Sequence, residues 1–159
     1  MSAPLLFALT VFAALGAALI AGLFFAFSVS VMTALGRLPP AAGISAMQSI
    51  NVAILNPVFF AAFFGTAAAS AILAIAAIIQ WDAPGTAYLL AGGLLYLVGG
   101  LLVTVVFNVP MNKALAAVGP DSVEGATLWR RYLSNWTAWN HARTVACLAA
   151  AASFLIALR

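Results

Sequence analysis

The stretch Trp136-Thr-Ala-Trp-Asn-His-Ala-Arg143 stands at the head of an apolar run, residues 144–158. It contains the only histidine of the chain and one of its six cationic residues. Polar groups at the head of a membrane-spanning segment cost several kcal/mol when they lack partners in lipid. The stretch therefore marks a candidate site, although it does not by itself specify a reaction.

The composition around this stretch defines the class of protein. Of 159 residues, 66% are hydrophobic and 6% are charged, whereas soluble domains have roughly 45–50% apolar and about 25% charged residues. So few charges do not cover so much apolar surface in water. We therefore expect an all-α integral membrane protein with a single domain over residues 1–159. Its length predicts a four-helix bundle of spanning helices, each about 20 residues long.

Charge, cysteine and histidine content exclude several functions. The net charge of +3 comes from few residues and in a membrane protein reports topology, so we expect no nucleic-acid partner. Cys147 is the only cysteine and His141 the only histidine. An internal disulfide and bis-histidine haem within one chain are therefore excluded, and we expect no His/Cys metal centre and no cofactor. A haem with a single protein ligand and a quinone both remain open as alternative cofactors.

Proline, glycine and polar residues divide the chain into segments. Residues 4–35 predict a first spanning helix, retained because the apolar run exceeds a signal-peptide core. An amphipathic stretch, residues 43–56, begins a second helix that ends near residue 80, and Pro57 is expected to cause a kink or a register break in it. Residues 86–107 predict the third helix. Residues 122–135, capped by Asp121 or Ser122, predict a short interfacial helix before the last spanning helix, residues 136–158.

The loop charges predict an orientation. Arg37 lies in the first loop, and Lys113, Arg130 and Arg131 lie in the third, whereas the opposite side carries only Asp82 in the second loop and Arg159 at the terminus. The positive-inside rule then places the first and third loops in the cytoplasm. Both termini are expected outside it, in what we take to be a bacterial inner membrane.

Helical periodicity groups the polar side chains of the last helix. One stripe contains Tyr132, Trp136, either Trp139 or Asn140, and Arg143, and an adjoining face begins with Thr137, His141 and Thr144. With three carboxylates in the chain, a complete set of ion-pair partners for Arg143 is hard to assemble. Backbone carbonyls, lipid phosphate and an anionic ligand are the remaining partners. Taken singly, a snorkelling Arg143 and a hydrogen-bonded helix-end His141 are the simpler interpretations.

Other polar residues belong to the same hypothesis. Asn56 lies at the Pro57 break, where it either satisfies the broken turn or contacts a ligand. Asn108 and Asn112 flank Pro110, and unpaired amides at such a depth are costly. In the third helix, four-residue spacing puts on one face Gly92, Tyr96, Gly100, Thr104 and Asn108. Together these groups favour a pocket over scattered packing.

Four runs of sequence resemble the anthrone oxygenase-like family, long catalogued as a domain of unknown function, and they span essentially the whole chain. They are Gly22-Leu-Phe-Phe-Ala-Phe-Ser28, Ala46-Met-Gln-Ser-Ile-Asn51 followed by Leu55-Asn-Pro57, Phe107-Asn-Val-Pro-Met-Asn112, and Trp136-Thr-Ala-Trp-Asn-His-Ala-Arg-Thr144. Members from polyketide pathways are associated with oxidation of an anthrone to an anthraquinone by O₂ without metal or flavin. Many bacterial members have no assigned substrate.

The resemblance implies roles for the polar residues. A cofactor-independent oxygenase needs an acidic, electron-rich substrate, a base and a dry pocket. His141 is the candidate base, and Arg143 with Asn140 or Asn108 is the candidate holder of the phenolate or the developing peroxide. The candidate substrate-binding residues are Asn56, Asn108, Asn112, Tyr132, Trp136 and Trp139, the aromatic ones by stacking on a flat polycycle.

Two functions of other classes remain open. The protein is alternatively a non-enzymatic carrier of a quinone, haem or lipid, with His141 as a single haem ligand or a hydrogen-bond donor. It is alternatively a structural or assembly subunit of a membrane complex, with the glycine-rich third helix as an oligomer face. The expected partners are the membrane and a hydrophobic aromatic molecule or lipid, and a second copy of the chain is a further candidate.

Overall fold

Five helices and no strand make up the secondary structure of residues 2–159, the part of the chain that the computed structural model describes. The helices are α1 (Ala3–Gly36), α2 (Pro40–Ala53), α3 (Pro57–Ile79), α4 (Thr86–Ala116) and α5 (Val123–Ala157). The predicted all-α class is confirmed. π-helical turns interrupt α1 at Phe27–Val31 and α4 at Leu95–Leu102 and Thr104–Asn108.

Three helices are long and apolar enough to cross a membrane. They are α1 with 34 residues, α3 with 23 and α4 with 31, which is consistent with an integral membrane protein. The fourth predicted span belongs to α5, which has the length, at 35 residues, but is not among the apolar three. Its amide and charged side chains before residue 144 dilute its apolar character, so the predicted bundle of four spanning helices is not confirmed.

The last helix is longer than the sequence pattern suggests. Residues 123–157 form one uninterrupted helix, so the prediction of a separate interfacial helix before the last span is wrong. No proline occurs in this range to remove a backbone donor. Of the two cap candidates, Ser122 is the N-cap, and its hydroxyl accepts a hydrogen bond of 2.9 Å from the Gly125 N–H.

The third spanning helix also runs past its predicted end at residue 107. It continues through Pro110 to Ala116. The π turn at Thr104–Asn108 directly precedes the proline. Such turns shift the backbone hydrogen-bond register, which helps the helix to pass a residue without an N–H.

The predicted break before Pro57 is confirmed. α2 ends at Ala53 and α3 begins at Pro57, with Asn56 as its N-cap in an extended conformation. At the other end of α3, Gly85 has a φ of 78°, a left-handed conformation that glycine adopts without strain. These two turns separate α3 from its neighbours.

Packing divides the interior into two apolar clusters. α1 and α5 are in extensive contact, and α3 and α4 flank them. The larger cluster contains small alanine side chains together with Phe63, Tyr96 and Phe154. The second cluster joins α2, the end of α1 and the first half of α5, with Met47, Tyr132 and Trp136 among its members. Arg143 lies on α5 between the residues of the two clusters.

Candidate functional site

Arg143 is buried, with 4% of its surface exposed, and its hydrogen-bond partners are neutral. Nη1 donates to the Thr104 hydroxyl at 3.0 Å, and Nη2 donates to Asn140 Oδ1 at 2.6 Å. The guanidinium carbon lies 4.1 Å from the centre of the Phe24 ring and 5.2 Å from that of Trp136. Nε is buried without a hydrogen-bond partner. The charge is thus held by dipoles and aromatic faces, and one donor stays free.

Asn140 is the residue that orients this arginine. Its amide nitrogen donates to the Phe24 carbonyl and to the Ser28 hydroxyl, both at 2.7 Å. These bonds leave its oxygen facing Arg143. Ser28 lies in the π turn of α1 and is 3.2 Å from the Thr144 hydroxyl, which donates to the Asn140 carbonyl at 2.8 Å. The network therefore joins α1 to α5 through fully paired amide groups.

Asn112 organises the aromatic side chains of α5. Its Oδ1 accepts hydrogen bonds from the Tyr132 hydroxyl and from Trp136 Nε1, both at 2.8 Å. Trp129, Tyr132 and Trp136 form a continuous stack with ring centres 5.6 and 5.8 Å apart. One amide from α4 thus fixes two rings of α5, which leaves the Trp136 ring beside the Arg143 cation.

Asn108 makes a different contact with the same helix. Its amide nitrogen donates to the Trp136 carbonyl at 3.2 Å, and its Oδ1 is buried without a partner. The predicted common face of α4 is confirmed, since Gly92, Tyr96, Gly100 and Asn108 are all buried and Thr104 bonds Arg143. An α-helix has about 3.6 residues per turn, so residues spaced by four drift around its axis. The π-helical turns of α4 contain more residues per turn, which helps to keep these residues on one face.

A cavity of about 120 Å³ lies against Arg143. A space of about 10–15 Å³ already admits one water molecule, so this cavity is roomy. Its polar lining is Asn51, Thr104, Asn112 and Arg143. Its other lining residues are apolar or aromatic: Leu23, Phe24, Phe27, Met47, Ile50, Ile54, Leu55, Phe59, Val109 and Trp136. Leu55 is 62% exposed, so the cavity reaches the surface at the break between α2 and α3.

Six of the nine predicted site residues meet around this cavity. Trp136, Asn112 and Arg143 line it. Asn140 and Tyr132 hydrogen-bond those lining residues directly, and Asn108 bonds the Trp136 backbone. Trp139 and Asn140 were alternatives for the inner stripe, and the structure puts Asn140 there, with 0% of its surface exposed.

The other three lie away from the cavity. His141 is exposed and is not a lining residue. Trp139 is 36% exposed and stacks on Phe107, with ring centres 3.6 Å apart. Asn56 is used by the backbone, because Oδ1 accepts from the Phe59 N–H and Nδ2 donates to the Ala53 carbonyl, both at 3.0 Å. Asn56 thus satisfies the broken turn, the first of its two predicted roles.

Eleven of the fourteen lining residues were absent from the predicted set, Asn51 and Phe24 among them. Asn51 was quoted within a motif without a role, and its Nδ2 is buried with no hydrogen-bond partner. Phe24 was likewise quoted only within the run Gly22–Ser28. The signal for Asn51 was an amide within an amphipathic helix, but helical position alone did not show which way it faces.

The side chains around the cavity offer few metal ligands. Within residues 2–159, no three His, Cys, Asp or Glu side chains come close enough together to hold a metal ion. None of the described lining residues is a histidine or cysteine. A haem in this cavity would therefore have no axial ligand from either residue type, whereas a neutral or anionic organic acceptor fits the donors present.

These features define an all-helical, membrane-compatible protein with a buried cation facing an aromatic cavity. The family model described as anthrone oxygenase matches residues 58–153, and the chain belongs to that family. The matched range includes Arg143 and Asn140, whereas Phe24 and Asn51 lie before it. No curated protein and no solved structure shows significant similarity to the chain.

Proposed function

We propose that this protein is a cofactor-independent oxygenase that converts an anthrone-type phenol or enol to the corresponding quinone with O₂. The observation that carries the proposal is the buried Arg143, which has neutral partners and a free Nε beside an aromatic-walled cavity. A cation without a carboxylate partner favours an anionic ligand. Membership of the anthrone oxygenase family supports the choice of reaction.

The reaction balances as anthrone plus O₂ giving anthraquinone plus water. Loss of one proton from the substrate to a water molecule gives an enolate, and the carbon across the central ring from its oxygen transfers one electron to O₂. The resulting superoxide and carbon radical combine to form a C–O bond and a peroxide anion. Loss of the second hydrogen from that carbon and cleavage of the O–O bond release hydroxide, which takes up the first proton and leaves as water.

Arg143 stabilises the negative charge that these reaction steps produce. A preorganised donor in a site of low polarity is worth more than in water, because no solvent has to reorganise around the anion. The aromatic rings of Phe24 and Trp136 hold the guanidinium in place. The rings of Phe27 and Phe59, which line the same cavity, supply faces on which a flat substrate stacks.

Activity of the purified, detergent-solubilised protein tests this proposal. We expect anthrone-dependent O₂ consumption above the uncatalysed rate, and transfer of one atom of isotopically heavy O₂ into the quinone. Arg143→Gln should lower kcat/KM by about 100-fold or more, as is typical for loss of one oxyanion donor. Arg130→Gln is the matched control, because Arg130 is an exposed arginine on the same helix.

Two results would contradict the oxygenase proposal. One is wild-type protein with no turnover above the uncatalysed rate. The other is folded Arg143→Gln protein, checked by its thermal unfolding, that turns over like the wild type. Arg143→Lys should retain part of the activity, since it keeps the charge but loses the second hydrogen bond of the planar guanidinium.

A quinone carrier is the second candidate function. Two buried groups of the lining residues lack a partner, Arg143 Nε and Asn51 Nδ2, and both are donors, whereas a quinone offers acceptors alone. A quinone that co-purifies with the protein, without any O₂-dependent turnover of anthrone, would favour this function over the oxygenase.

A further inference from the structure

Two unpartnered hydrogen-bond donors belong to residues that line the same cavity. Nε of Arg143 comes from α5, and Nδ2 of Asn51 comes from α2. A buried donor without a partner destabilises the folded protein, so each of the two needs an explanation. The first is explained by the proposed substrate oxygen. The second has no role in the substrate-binding step described above.

The position of Asn51 on α2 places its amide in the wall of the cavity. Met47, Ile50 and Ile54 line the cavity from the same helix and are apolar. The neighbouring polar side chains of α2 are already paired: Gln48 donates to the carbonyls of Leu115 and Val118, and Ser49 donates to that of Ser45. Asn51 is therefore the polar side chain that α2 contributes to the lining.

The polar group nearest to acting as a partner for the Asn51 amide is the hydroxyl of Tyr132. It lies next to Asn51 and can accept a hydrogen bond from it, although the hydrogen of the hydroxyl is itself donated to Asn112 at 2.8 Å. The contact with Asn51 Nδ2 falls outside good hydrogen-bonding geometry, and Nδ2 carries two N–H groups, of which Tyr132 can accept one. The other N–H is left for a bound molecule, whereas a purely structural role for Asn51 is an alternative that the experiment below separates.

We propose that Asn51 is a catalytic residue that donates a hydrogen bond to the oxygen added by the reaction, while Arg143 holds the oxygen already present. This inference rests on the proposed function. Anthrone carries one oxygen and anthraquinone two, so two donors match the peroxide and the product better than the substrate. An interaction formed only after O₂ has added accelerates the chemical step without tightening substrate binding.

The movement of negative charge during the reaction defines the oxygen atom to which the Asn51 amide donates. Electron transfer to O₂ moves the negative charge from the enolate oxygen to superoxide, and the charge ends on the new peroxide oxygen when superoxide combines with the neutral substrate radical. Arg143 then loses part of its electrostatic contact with the first oxygen, and in this proposal the Asn51 N–H donates to the charge that has formed. A hydrogen bond from a neutral amide to a charged oxygen is stronger than one to a neutral carbonyl.

Anaerobic ligand binding separates this role from a structural one. Anthrone and anthraquinone share one ring skeleton, and without O₂ anthrone is not consumed, so the affinity of each is measurable by quenching of tryptophan fluorescence. Asn51→Leu should weaken anthraquinone binding about tenfold, as expected for one lost hydrogen bond, and change anthrone affinity less than about twofold. Ser49→Ala, an exposed position on the same helix, should leave both unchanged.

Steady-state kinetics supply the second readout. Asn51→Leu should lower kcat about 10- to 100-fold with little change in KM for anthrone, because the lost bond forms after substrate binding. Equal weakening of both ligands, no weakening of anthraquinone, or a KM effect without a kcat effect would overturn the role of Asn51. Wild-type protein that binds neither ligand would overturn it as well.

The same data distinguish this inference from the oxygenase proposal. If the wild type shows no turnover but Asn51→Leu selectively loses anthraquinone, the oxygenase proposal and the catalytic role of Asn51 both fail, and Asn51 keeps only its contact with the second quinone oxygen. If turnover is confirmed but Asn51→Leu behaves like Ser49→Ala, the oxygenase stands and the role of Asn51 is refuted.

Discussion

At the scale of single residues, the site is defined by the neutral groups that stabilise the positive charge of Arg143. The guanidinium is desolvated and contacts Thr104, Asn140 and two aromatic rings. A desolvated cation–π contact contributes about 2 kcal/mol, and a hydrogen bond to a charged group about 1.5–3 kcal/mol. These contacts stabilise the cation without neutralising it. An anion that enters the cavity therefore meets a full positive charge.

His141 provides a residue-scale prediction. We expect His141→Ala to change turnover by less than about twofold, since exposed substitutions away from a site usually change free energies by no more than about 0.5 kcal/mol. The measurement is anthrone-dependent O₂ uptake by the variant and the wild type at equal concentration. A tenfold or larger loss would instead support the base role suggested by the sequence and would require His141 to reach the substrate.

At the scale of elements, glycine faces allow α4 to approach its neighbours. A Cβ on Gly92 would lie 2.7 Å from the Phe154 ring on α5, and one on Gly93 would lie 2.7 Å from the Ser70 carbonyl oxygen on α3. A side-chain ring can shift, but the α3 backbone cannot do so cheaply. The close approach of α4 to α5 also brings Thr104 and Asn112 to the α5 side chains that they bond.

Gly93→Ala tests the importance of this approach. We expect it to destabilise the protein by about 1–3 kcal/mol, the usual cost of an overpacked interior, and to lower the midpoint of thermal unfolding in detergent. Gly22→Ala is the matched control, because a Cβ at Gly22 has no neighbour within 4 Å. Equal midpoints for the two variants would show that the α3–α4 contact is looser than described.

At the scale of the whole molecule, charge is distributed unevenly along the membrane normal that the helices suggest. Arg37, Lys113, Arg130 and Arg131 are exposed, and they lie on or next to the elements that form the second apolar cluster. Asp82 lies in the turn between α3 and α4, beyond the opposite end of α3, and Arg159 is the one cation that follows α5 at that end. This separation supports the proposed orientation with the arginine-rich end in the cytoplasm.

Cysteine labelling tests the orientation. In intact bacterial cells, a membrane-impermeant maleimide should modify Asp82→Cys, whereas Arg130→Cys should react only after the cells are permeabilised. The native Cys147 is buried, so the unsubstituted protein should give little background. Labelling of Arg130→Cys in intact cells, with protection of Asp82→Cys, would reverse the proposed topology.

Sequence reasoning succeeded where local chain chemistry decides the outcome. Composition predicted an all-helical membrane-compatible protein, Pro57 predicted the break before α3, and four-residue spacing predicted the buried face of α4. It failed at the ends of α4 and α5. Pro110 does not stop α4, and the polar first half of α5 does not form a separate helix, since backbone hydrogen bonds continue through both.

Which residues belong to the site depended on the tertiary structure. Helical periodicity left Trp139 and Asn140 as alternatives and did not exclude His141, because both faces of α5 carry polar groups near its start. The choice came from contacts with α1 and α4, where Phe24, Ser28 and Thr104 receive the side chains of Asn140 and Arg143. Asn51 meets the same cavity from α2. Residues so distant in sequence share one site because helix packing, unlike helix formation, depends on side chains from the whole chain.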